Sequence, residues 1–161
     1  MTTGPNLGGV PLPDLQKALD ASLAGASPLS KRLFSRGGMD AAEVQRFVNR
    51  VMGATIATVG PDRRAHAALV LAACDDGTLI FTASPGSALL RNLRLSPDVA
   101  LTVTAAEHDV TVRGTAERLG QAGDLEELLN RLHSLSKRGR FTPPGWVGEL
   151  YSVAIEKIFA S

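Results

Sequence analysis

The sequence predicts an α+β fold, mainly β: a small antiparallel barrel of six short strands with a few helices packed on it. Three observations carry this. Gly60-Pro61-Asp62 and Asp75-Asp76-Gly77 are strong hairpin signals, and they separate three short β-like runs. Thr102 and Thr104 alternate with apolar neighbours, as do Thr111, Arg113 and Thr115, which is the pattern of an antiparallel sheet with one buried face. Helical spacing is confined to segments before, between and after these runs, so helices are expected to pack against a closed sheet.

Taken in order, residues 1–13 are rich in Gly and Pro and read as a loose arm. Helical spacing follows over 13–23. A second short helix starts at Ser27-Pro28, with Ser as cap and Pro at the first helical position, and Gly37-Gly38 breaks the chain. Asp40-Ala41-Ala42-Glu43 has capping-box spacing. Val44, Phe47, Val48 and Val51 then share one helical face, and Gly53 is expected to end the helix. Strands are expected over 54–59, 65–73, 79–82, 99–105, 110–118 and 150–159. Between the third and fourth lies a short helix opened by Ser84-Pro85-Gly86-Ser87, with Ser84 expected as cap and Pro85 in the first turn. Asp124-Leu125-Glu126-Glu127 repeats the capping spacing ahead of a stripe of Leu125, Leu128, Leu129, Leu132 and Leu135, and Gly139 and Pro143-Pro144 are breakers. In the last strand Val153, Ile155 and Lys157 are assigned to one face, and Ala154, Glu156 and Ile158 to the other. The division expected is an arm with short helices over 1–38 and a barrel over 39–161, one domain overall.

The totals narrow the function classes. A chain of 161 residues with 44% hydrophobic and 20% charged residues suits one domain with a real core. A net charge of +1 demands neither nucleic acid nor an anionic membrane as partner, and neither is expected. Arg91/Arg94 and Lys137-Arg138-Gly139-Arg140 are local basic clusters that read as solvated surface. The single cysteine, Cys74, rules out an intrachain disulfide and fits a reducing cytoplasm; its apolar surroundings make it a small core residue. Its apolar run, 67–74, is too short to span a bilayer, and "MTTGPNLGGVPLPD" lacks the features of a signal peptide, so cytoplasmic localisation is expected.

No phosphate loop, dinucleotide fingerprint, zinc-protease helix or nucleophile elbow occurs, and no metal site is expected from three histidines and one cysteine. Glu107-His108-Asp109 falls between two strands and reads as a hairpin tip. His133 sits at the edge of the leucine stripe and receives no role. The stretch "IFTASPGSALLRNL" differs: a strand runs into small hydroxyl residues at a helix start, the layout of an anion cradle.

The order of elements carries a resemblance. "ATIATVGPDRRAHAALV" is strand, turn, strand; "DDGTLIFTASPGSALLRNLRLSPDVALTV" is turn, strand, helix, strand; "VTVRGTAERL" is a fifth strand leading to a helix. Over residues 43–119 this resembles the flavin-binding split-barrel superfamily of pyridoxamine 5'-phosphate oxidase, most closely its short branches that bind flavin mononucleotide (FMN) or a deazaflavin. "PPGWVGELYSVAIEKIF" is similar to the family's Trp-Gly-Gly-Tyr-Arg segment and final strand, with Ser152 where the family has Arg.

The resemblance implies a six-stranded split barrel, a homodimer with the cofactor cleft at its interface, and a flavin or deazaflavin oxidoreductase acting on a small molecule. It implies cofactor-binding roles for His66, Thr82, Ser84, Ser87, Arg91, Asn92 and Trp146. No catalytic residue is assigned. His66 opens the strand that in the family reads Arg-x-Val-Leu-Leu-Lys, whose Lys is Leu71 here. Ser87 matches the Ser of a Ser-Arg-Lys phosphate motif, whose Arg and Lys are Ala88 and Leu89 here. Losing two charge-assisted bonds of about 1.5–3 kcal/mol each would weaken phosphate binding about a hundredfold or more. Thr82, Ser84, Ser87 and Arg91 are the residues left to compensate. The alternative is a cofactor-free binding protein on the same fold. A haem-binding variant ranks last, because the family's haem-branch His stands at Leu89. Pyridoxamine-phosphate oxidase activity itself is not expected.

Overall fold

Two short helices, α1 (Leu12–Ala24) and α2 (Pro28–Ser35), precede the strands. A computed structural model of the chain describes residues 12–35, 38–136 and 139–161. Most of the expected loose arm, Gly37 of the Gly-Gly break, and Lys137 and Arg138 of the basic cluster lie outside the described residues. Leu15 and Leu19, one turn apart on α1, are buried against the barrel. Ser22 accepts the Ile158 N–H at 3.0 Å, which ties α1 to the last strand. Ser27 caps α2 as expected, with its Oγ accepting the Ser30 N–H.

The capping box of α3 (Ala41–Val51) forms in full. Asp40 Oδ1 accepts the Glu43 N–H and Glu43 Oε2 accepts the Asp40 N–H, both at 2.8 Å. Val44, Phe47 and Val48 are buried, and Val51 packs at the edge of the same cluster. The helix stop differs from expectation. Met52, not Gly53, takes the left-handed position at φ 62°, and Gly53 already belongs to the first strand. Met52 N–H bonds Val48 O and its carbonyl accepts the Ala72 N–H, both at 2.8 Å, while its side chain is buried. Those gains hold a conformation that is otherwise unfavourable for a side chain.

Six strands lie in the described residues: β1 (Gly53–Val59), β2 (Ala65–Asp75), β3 (Thr78–Ala83), β4 (Asp98–Ala105), β5 (His108–Gln121) and β6 (Glu149–Ala160). They close a fully antiparallel barrel in the order β1-β2-β3-β6-β5-β4. The β2–β3 hairpin turns on Asp76 and Gly77, with φ of 48° and 84°, the two positive values a tight two-residue turn requires. Asn49 of α3 grips this hairpin, accepting the Cys74 N–H at 2.7 Å and donating to its carbonyl at 2.8 Å. Cys74 is fully buried, and burial pushes its thiol up to about 12, so it is an inert core residue as expected. Glu107-His108-Asp109 does lie at the β4–β5 tip, where Asp109 Oδ1 accepts the Ser161 hydroxyl at 2.7 Å.

Two helices fill the remaining connections: α4 (Ala88–Leu95) between β3 and β4, and α5 (Glu126–Leu135) between β5 and β6. The leucine stripe of α5 packs as expected, with Leu125, Leu128 and Leu132 buried against Ile80, Phe141 and Leu150 in a second core outside the barrel. Its expected capping by Asp124 does not form. A tight turn over Ala122–Asp124 precedes the helix, Leu125 occupies the cap position without a side-chain bond, and its side chain goes into the core instead. The expected faces of β6 are also corrected. A bulge leaves Glu156 unpaired between Lys157↔Arg113 and Ile155↔Gly114, so the buried set passes from Val153 to Ile158 and Ala160. Gly114 is required opposite it, because a Cβ there would collide with the Ala154 carbonyl. Among the described residues no helix is long and apolar enough to cross a membrane.

Candidate functional site

The last residues of β3 and the start of α4 build the cradle singled out in the sequence. Thr82 lies one residue beyond the last β2–β3 pair, Ala72↔Phe81, and its Oγ1 accepts the Leu71 N–H at 3.2 Å. Its own hydroxyl proton is left for another acceptor. The chain then turns through Ser84-Pro85-Gly86, with Gly86 at φ 69° facing open space and the Ser87 N–H on Ser84 O at 3.3 Å. Here the expected helix start is corrected. Ser87, not Ser84, is the cap: its backbone is extended and its Oγ accepts the Leu90 N–H at 3.1 Å. Pro85 belongs to the turn and not to the helix. The Arg91 N–H is taken by Ser87 O, so the amides of Ala88 and Leu89 are the ones without an intrahelical acceptor.

A cleft of about 560 Å3 opens beside Thr82, Ser84 and Trp146. Its floor is the outer face of the barrel, with Thr55 on β1, Leu69 on β2 and Thr102 on β4 aligned in one row by strand register. Leu69 is 87% exposed. The next row, Ala67, Ala57 and Ala100, continues the same small, apolar face. Trp146 stands at the edge: its backbone N–H bonds Pro143 O at 3.1 Å, and its ring occupies the space a side chain at position 148 would need.

Ser87 and Arg91 face a different space. With Gly86 and Arg94 they line a groove of about 500 Å3 whose far wall is 147–149. Arg94 lies 3.7 Å from Glu149, a buried carboxylate that also accepts from Arg118 Nε at 3.1 Å and Tyr151 hydroxyl at 2.8 Å. Burial alone would raise the Glu149 pKa, but the Tyr151 and Arg118 bonds and the two guanidinium charges outweigh it and hold the carboxyl below its usual range. Burial and the Glu149 carboxylate push Tyr151 up to about 12.

The structure therefore divides the seven residues. Thr82, Ser84 and Trp146 share the cleft, and Ser87 and Arg91 share the groove beyond the α4 cap. Asn92 is buried and donates to Thr58 Oγ1 at 3.0 Å, stapling α4 to β1. His66 pairs across from Thr58, five residues and about 16 Å along β2 from Leu71. Its Nδ1 is buried with no hydrogen-bond partner, and His66 lines neither the cleft nor the groove. Where the family carries charge, this chain is apolar: Leu89 is 3% exposed, and Leu71 is half-buried, packed on the second core and lining the cleft. The cleft floor of Thr55, Leu69 and Thr102 was not singled out from sequence. Its signal was there in the outward positions of three alternating strands, which only the register brings together.

A closed six-stranded antiparallel barrel with a helix after its third strand, and a cleft where that strand ends, defines the split-barrel class of flavin-binding proteins. Residues 41–142 match the family model for pyridoxamine 5'-phosphate oxidase, and the chain belongs to that family. Among curated proteins no significant match is found. Solved structures with the same fold include one described as an F420 reductase, 21% identical with a TM-score of 0.57, covering 71% of this chain and 94% of that one. The FAD-binding protein from Mycobacterium smegmatis is 19% identical with a TM-score of 0.56, covering 76% and 95%. HutZ, the heme storage protein from Vibrio cholerae, is 15% identical with a TM-score of 0.54, covering 73% and 92%. At these identities the likeness is one of fold.

Proposed function

We propose that the chain is a cytoplasmic, homodimeric oxidoreductase that holds FMN or a deazaflavin in the Thr82–Ser84–Trp146 cleft and acts on a small molecule. The observation that carries this is the position of the cleft, which opens directly onto the exposed row of Leu69, Thr55 and Thr102. A second copy laid on that face would cover Leu69 and supply a missing wall of the cleft. Family membership supports the reading, as do fold neighbours described as an F420 reductase and an FAD-binding protein. When bound, the cofactor supplies the hydride or electron chemistry. The chain's part is to bind and orient it: Thr82 and Ser84 offer hydroxyls and Trp146 a flat wall, while Arg91 would serve only a cofactor end that reaches past the α4 cap into the neighbouring groove.

A second reading, a split barrel with a binding role and no flavin, draws on buried Leu89 and Ser152 and on the apolar, half-buried Leu71 at positions where the family has basic residues. Its haem-binding form lacks the family's His, since Leu89 stands there. Titration of the pure protein with FMN and with a deazaflavin separates the readings, followed by quenching of the single tryptophan and by melting temperature. Binding at micromolar Kd or weaker is expected. A colourless protein whose melting temperature moves with neither cofactor would overturn the first reading, and sedimentation should give a dimer.

A further inference from the structure

A third groove, of about 260 Å3, lies between α5 and the 140–146 loop, with Trp146 as the wall it shares with the cleft. Glu126, Asn130 and His133 line it from one face of α5, at i, i+4 and i+7, and Arg140 faces them from the loop.

The bonding of His133 fixes the place of its proton. The Phe141 main-chain N–H donates to Nδ1 at 2.8 Å. That donor can neither turn nor give up its hydrogen, so Nδ1 presents its lone pair. A neutral imidazole carries one hydrogen, which must then be on Nε2. Arg140 Nη2 lies 3.3 Å from Nε2. A guanidinium has donors only, so two N–H groups converge with no acceptor between them. Arg140 is not simply adrift there, because its Nε is held by Thr142 O at 3.4 Å. Convergent donors, one of them charged, form a site for an acceptor of negative charge.

We propose that this groove is an oxyanion site in which one phosphate or carboxylate group bridges His133 Nε2 and Arg140 Nη2. Glu126, one helical turn beyond Asn130, sets its polarity. Its carboxylate opposes a second negative charge, so the site takes a small molecule with a single anionic end, and Trp146 and Pro143 flank the body. The two anion donors stand apart from the cofactor reading, since neither His133 nor Arg140 lines the cleft and only Trp146 borders both spaces.

The test uses the full chain with labelled histidine, by long-range proton–nitrogen NMR, at constant ionic strength. Without added anion the His133 ring should show the Nε2–H tautomer. Inorganic phosphate and acetate, titrated separately, should identify the chemistry: at least one shifts the His133 ring saturably. Arg140→Ala, at an exposed residue, should weaken that binding more than tenfold while leaving the tautomer unchanged. An Nδ1–H tautomer would remove the facing donors and overturn the proposal. So would the absence of saturation with either anion up to roughly 50 mM, or full affinity in Arg140→Ala.

Discussion

His133 also gives the molecule a pH dependence whose sign follows from its surroundings. A proton added at Nδ1 would meet the Phe141 N–H head on. Burial first, and then the Arg140 charge, lower the pKa of the ring from its ordinary value. The unfolded chain takes up this proton near pH 6.5, while the folded chain resists it. Stability is therefore fully present above about pH 6.5 and is lost as the pH falls through the lower folded value. Melting curves should show the loss beginning below about pH 6.5. In His133→Asn, which keeps an acceptor for Phe141 but does not titrate, the slope should flatten. An identical slope in the variant would assign the effect to other groups.

At the scale of elements, α4 hangs on a cap one turn later than the local pattern suggests. Ser87→Ala removes the acceptor of the Leu90 N–H and should destabilise the protein by about 1 kcal/mol in chemical denaturation. Ser84→Ala, at an exposed turn residue without a capping role, should cost about half a kcal/mol or less. The contrast shows which parts of the fold were legible. Strands and hairpins were, because alternation and Asp-Gly turns are properties of adjacent residues. Helix ends were less so, because two serines three residues apart compete for one cap, and only the turn geometry at Gly86 decides. The same holds at Met52 and Leu125, where tertiary bonds and core packing override the local stop and start signals. The β6 bulge was not legible at all, since it answers to Gly114 on a neighbouring strand. Of the candidate site, the β3–α4 stretch could be read because it is continuous. The floor could not, because Thr55, Leu69 and Thr102 meet only through register.

At the scale of the whole molecule, the outer face of β1, β2 and β4 leaves Leu69 and two rows of small residues in water. If a second copy covers this face, Leu69→Arg should convert the dimer into a monomer with an unchanged melting profile of the isolated chain, read by sedimentation. Cofactor affinity should fall with it, because the cleft borders the same residue. A Leu69→Arg protein that remains dimeric would place the interface elsewhere.

The barrel's closure is uneven. β5 and β6 are joined along nearly their whole length, from Val110↔Ala160 to Gln121↔Glu149, whereas β1 and β4 meet over three residue pairs, Thr55↔Thr102 to Ala57↔Ala100. The shortest seam of the cylinder thus runs along the floor of the cleft. β2–β3 and β3–β6 are joined over four pairs each, so three seams are short, and the shortest of them is expected to open first. Backbone amides at 55–57 and 100–102 should exchange with deuterium well before those of β5. Whatever seats itself on that floor acts as a clasp, and its arrival should register as a local slowing of exchange, even for a ligand too weak to colour the solution.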